Sequence, residues 1–88
     1  MSFKLAATAL HTPGLTGGQK LVLTVIASLS DKSGNSCSSV RAIADLASIS
    51  IRTVNHHIAD LLKLGYLERT YRSGKPAITR ITITGSAS

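Results

Sequence analysis

Three residues, Ser48-Ile49-Ser50, are all that separates two helical patterns, and this short connection constrains the fold more than any other feature. Upstream of it Val40, Ile43, Ala44 and Ala47 recur at helical spacing over about two turns. Ser39 stands where it can cap that helix. Downstream, Ile51, Val54, Ile58, Leu61 and Leu62 form an apolar stripe over 51–64, with Ser50 as its N-cap. Gly65 then supplies a residue able to take positive φ and end the helix.

After Gly65 the hydrophobic period changes from helical to alternating. Residues 67–72 read as one strand, Ser73-Gly74-Lys75-Pro76 as a turn, and 77–83, rich in β-branched residues, as a second strand. The two strands and their Gly-containing loop predict a hairpin. At the other end, Phe3, Ala6, Ala7 and Leu10 predict a short amphipathic helix over 3–11, stopped by Pro13-Gly14. Thr16 and Gln19 make a capping-box pattern opening a helix to about Ser30. Its apolar residues Leu21, Val22, Val25, Ile26 and Leu29 share one face, while Leu23 lies well off it, so both sides are expected to be buried. The segment 31–36 is a loop by composition, with Cys37 expected in a very short strand after it and buried as a small apolar residue. Tyr66 and Tyr71 are expected in core or hairpin packing.

A chain of 88 residues makes one domain, here 1–85 with a polar tail at 86–88, and its 43% apolar content suffices for a modest core. With no Trp and one Phe, that core is built from Leu, Ile, Val and Ala. Ten Lys/Arg against four Asp/Glu leave a formal charge of +6, which favours a polyanionic partner. A lone cysteine excludes an internal disulfide and a Cys-rich zinc site, in keeping with a reducing cytoplasm. No signal-peptide pattern and no span long enough to cross a bilayer occur. The expected location is therefore cytoplasmic and nucleoid-associated.

The order helix, helix, short helix, tight turn, long helix, hairpin resembles the winged helix-turn-helix domains of phage and plasmid replication proteins and of small bacterial transcriptional regulators. The fold class this implies is mostly α with a small β-hairpin: three to four helices followed by a two-stranded wing. The resemblance rests on Gln19-Lys20-Leu21-Val22-Leu23, on Gly34 before Cys37, and on Ser39 with Ala42-Ile43-Ala44-Asp45-Leu46-Ala47. It continues through Ser50-Ile51-Arg52-Thr53-Val54, then Ile58 and Leu61, to Leu64-Gly65-Tyr66-Leu67. It implies that 51–64 is a recognition helix lying in the major groove of double-stranded DNA.

At about 100° per residue, the side of that helix opposite its apolar stripe carries Arg52, Thr53, His56, Asp60 and Lys63, with Asn55 and His57 on the flanks. Helix-turn-helix proteins read bases with the first turns, which selects Arg52, Thr53, Asn55 and His56 for base readout. Asp60 is left off the interface because phosphate repels an acid. Two residues depart from the family pattern. Ile51 stands where relatives often carry a polar or basic residue, and either packs inward or meets a thymine methyl. His56 replaces a position that is often basic, which predicts an affinity that depends on pH.

The expected phosphate contacts are Ser39, Ser50, Lys63, Arg69, Arg72, Lys75 and Arg80. From Ser50 onward six basic residues stand against two acidic ones, so four of the six net charges fall on the recognition helix and wing. An ordinary solvated hairpin also carries charges, which keep its edges from aggregating, but the helix-turn-helix before it favours DNA contact.

No acid, base and nucleophile converge by any recognised spacing, and Gly17-Gly18 lacks the rest of a phosphate loop, so no enzyme activity and no cofactor are expected. His56 and His57 are adjacent, unlike the i, i+4 pairs that share a metal, so no metal site is expected. Neither a membrane nor a small-molecule ligand is an expected partner. The helix 3–10 offers a face for homodimerisation. A small transcriptional regulator is the leading reading if the chain is complete, and the DNA-binding domain of a replication initiation protein if it is an excised N-terminal part. The rival class is a winged-helix module that docks another protein, which would show exposed apolar residues where Arg52, Thr53, His56 and Lys63 stand.

Overall fold

The computed structural model describes residues 3–31 and 33–82, with backbone alone for 3–5 and for Pro76. The expected roles of the Phe3 and Lys4 side chains, of Lys32, of Ile83 and of the tail at 86–88 lie outside that description. The elements are α1 (Phe3–Leu10), α2 (Gly17–Ser28), β1 (Asn35–Ser36), α3 (Val40–Ala47), α4 (Ile51–Leu64), β2 (Leu67–Arg72) and β3 (Lys75–Ile81). Four helices and a small C-terminal antiparallel sheet are compatible with the winged helix-turn-helix expected from the sequence.

Local chemistry sets the helix ends. Thr16 Oγ1 accepts from the Gln19 amide at 3.3 Å, and Gln19 Oε1 accepts from the Thr16 amide at 3.1 Å, a complete capping box. Ser39 Oγ accepts from the Ala42 amide and Ser50 Oγ from the Thr53 amide, each at 3.1 Å. Between α3 and α4 the sharp turn is made by Ser48, the one non-glycine residue with positive φ among those described, at 59°. Gly65 ends α4 at φ 84°.

The core gathers Val22, Leu23, Ile26 and Ala27 of α2 with Ala9, Ile43, Ala44, Val54, Ile58, Leu61, Leu67 and Ile81. The helix α2 touches α1, α3 and α4, so it is buried on two sides, Leu23 included. Leu21 corrects the expected face: it is 40% exposed. The buried sector of α2 centres between Leu23 and Ile26, and at about 100° per residue Leu21 falls on its far side.

The sheet has three strands in the order β1-β3-β2, all antiparallel. The hairpin turn is shorter than expected. Only Ser73 and Gly74 lie outside the strands, and Lys75 already belongs to β3, opposite Arg72. Pro76 is tolerated because the register shifts there, with Pro76 and Ala77 both opposite Tyr71, and because β1 covers only Thr79 and Arg80, which leaves that edge of β3 free at 76. The very short strand before α3 exists, but it is Asn35–Ser36, and Cys37 follows it and is exposed. Ser36 is buried opposite Thr79, and alternation turns the next side chain outward. No described helix is long and apolar enough to cross a membrane.

Candidate nucleic-acid interface

The helix α4 is held to the core by Val54, Ile58 and Leu61, all buried. That anchoring decides which side faces out: Arg52, Asn55, His56, Ala59 and Lys63 are exposed. At about 100° per residue these five fall within one sector, with Ala59 near its centre. Ala59 was missed by a search for polar and charged residues, although the same helical arithmetic finds it. Its methyl is small enough to let a flat partner come close to the helix.

The four candidates for base readout divide. Arg52, Asn55 and His56 are exposed. Thr53 is half-buried, and its hydroxyl lies 2.8 Å from Ser50 Oγ in a second contact of the cap. Ile51 takes the outward of its two alternatives, at 46% exposure. The first turn of α4 contains no acidic residue, so no carboxylate there neutralises the positive end of the helix, which is capped by the Ser50 hydroxyl.

Asp60 and His57 turn towards α2. Gln19 Nε2 donates to Asp60 Oδ2 at 3.2 Å, and His56 Nε2 stands 3.6 Å from the same oxygen. His57 is half-buried against Gly18, where an added Cβ would sit 2.5 Å from its Nε2. The two histidine rings are 5.8 Å apart and tilted by 58°. Among the described residues no three His, Cys, Asp or Glu side chains are arranged to hold a metal ion.

On the β2–β3 hairpin, Lys75 and Arg80 are exposed, while Arg69 and Arg72 are half-buried. Arg80 faces Glu68 across the strands, which weakens its net field. Arg72 and Lys75 are opposite each other at the hairpin end. Like charges directly opposite weaken a ladder. Tyr71 takes the hairpin alternative rather than the core. It is 76% exposed and lies under the Arg69 guanidinium, 5.9 Å from its ring centroid, because the strand runs out beyond what the helices cover. Tyr66 packs against the core as expected. Ser39 and Ser50, both exposed, sit at the N-termini of α3 and α4.

A family model described as a helix-turn-helix domain matches residues 14–67, from just before α2 to the first residue of β2 and more than half of the chain. No curated protein and no solved structure matches.

Proposed function

The chain belongs to the helix-turn-helix domain family, and from that premise we propose that it binds double-stranded DNA selectively, with α4 in the major groove and the hairpin as a wing along the backbone. The observation that carries this reading is the outer face of α4. Val54, Ile58 and Leu61 are taken up by the core, and the outward sector carries Arg52, Asn55, His56 and Lys63 around Ala59, while the exposed apolar residues Ile51 and Leu64 stand at the two ends of the helix, outside that sector. A surface built to dock another protein would place large apolar side chains there.

In this reading Arg52, Asn55 and His56 meet base edges. Arginine suits guanine N7 and O6, and asparagine suits adenine N6 and N7. Thr53 acts through the cap it shares with Ser50. Lys63, Arg69, Arg72, Lys75 and Arg80 supply phosphate contacts, helped by the amides and hydroxyls at Ser39 and Ser50. Residues 1–85 act as one binding domain without catalysis, in the cytoplasm with the nucleoid. The role is in transcriptional regulation or in the initiation of replication, the two activities that the resemblance covers without separating them.

Selection from a random duplex library tests this reading. Enrichment of a defined motif, bound at least a hundredfold more tightly than its scrambled version, is expected. Recovery of sequences bound no better than scrambled duplex would contradict it.

A further inference from the structure

On the outer face of α4, the His56 side chain is connected through Asp60 to the cap of α2. The connection begins at the α2 cap, where Gln19 Oε1 accepts from the Thr16 amide at 3.1 Å. The other end of the same amide group donates to Asp60 Oδ2 at 3.2 Å, which holds that carboxylate one third exposed. His56 Nε2 then stands 3.6 Å from Oδ2, while the His56 side chain is 73% exposed. The imidazole therefore turns Nε2 to an oriented carboxylate, while most of its surface stays open to whatever approaches α4. At 3.6 Å the contact is too long for a formed hydrogen bond, but the carboxylate field still acts on where the ring proton sits.

We propose that Asp60, oriented by Gln19, is a positioning residue that keeps the ring proton of His56 on Nε2 and presents Nδ1 as a bare acceptor to the DNA. This rests on the reading of α4 as the recognition helix. A neutral imidazole carries one donor and one acceptor, and which is which follows from the partner of the other nitrogen. In the major groove, cytosine N4 and adenine N6 offer donors, while guanine N7 and O6 and thymine O4 only accept. An acceptor at Nδ1 selects cytosine or adenine at the position His56 reaches. With Asp60 removed, the proton returns to the partition of a free histidine side chain, in which Nε2–H still leads but Nδ1–H is populated, so Nδ1 is a donor for part of the time. The acid omitted from the interface on grounds of charge thus acts on base choice through its neighbour.

The test uses the full chain with its histidines labelled with nitrogen-15, at pH 8, above the range in which imidazoles ordinarily protonate. Long-range proton–nitrogen correlations report the tautomer directly. His56 is expected with its proton wholly on Nε2, and Asp60→Ala is expected to raise the Nδ1–H share to that of a free histidine side chain. Gln19→Glu keeps the capping box but replaces the donor facing Asp60 with a like charge, and it should also weaken the bias. In parallel, all four bases are placed in turn at the selected position that His56→Ala makes permissive. The preference for cytosine or adenine should fall about three- to tenfold in Asp60→Ala, the worth of one hydrogen bond. Asp60→Ala should do nothing further in the His56→Ala background. A wild-type proton on Nδ1, or a tautomer unchanged in Asp60→Ala, overturns the proposal. A changed tautomer with an unchanged base ratio overturns the base selection and leaves the DNA reading standing. Failure to bind any duplex overturns the DNA reading, and the base selection with it.

Discussion

At the scale of single residues, Gly65 isolates one physical effect. It ends α4 at φ 84°, and an added Cβ there meets nothing within 4 Å. Gly65→Ala therefore has only the left-handed backbone to contend with, and should cost about 1–2 kcal/mol in denaturant unfolding. A cost near zero would mean that the helix end relaxes to another conformation. Gly65 was legible in the sequence, as were Thr16, Ser39 and Ser50, because caps depend on chemistry within four residues. Leu21, Cys37, Thr53 and Tyr71 were less so. Leu21 follows the burial of two sides of α2, Cys37 the pairing of β1 with a strand more than forty residues away, and Tyr71 the reach of the helices over the sheet. Each depends on contacts that a local pattern does not contain.

At the scale of elements, all four helices were legible in periodicity, as was the change of period at Gly65. The hairpin was legible as a pair of strands but not in its turn. Pro76 argued for a loop, and the register shift opposite Tyr71 together with the shortness of β1 explains why a proline can stand in β3. The consequence is that Lys75 sits in the ladder opposite Arg72, rather than at a loop tip. Lys75→Ala should remove a like-charge pair, so melting should show stability unchanged or raised by a few tenths of a kcal/mol. In duplex titrations the same change should weaken specific and scrambled DNA about equally and lower the salt slope by roughly one. A selective loss on the specific duplex would move Lys75 from the backbone to a base edge.

At the scale of the whole molecule, charge and shape act together. Four of the six net charges fall from Ser50 onward, on α4 and the β2–β3 hairpin. Binding to duplex DNA should therefore weaken steeply with salt, with a slope reflecting about four to six neutralised phosphates. Binding indifferent to salt would favour a protein partner. Much of the outer face of α4 followed from helical arithmetic, but Asp60 and His57 were placed there by angle alone. Their neighbours on α2, Gln19 and Gly18, lie about forty residues earlier and turn both away from the open face. The central claim is that the first turns of α4 read bases, and Arg52 tests it most directly. Arg52 is exposed and lies off the core, so Arg52→Ala should leave stability within about 0.5 kcal/mol. Titrated against the selected duplex and its scrambled version, the variant should lose on the order of 1–3 kcal/mol on the first. It should lose much less on the second, so the ratio between them falls. A ratio equal to that of the wild type, with the fold intact, would contradict the placement of α4 in the groove.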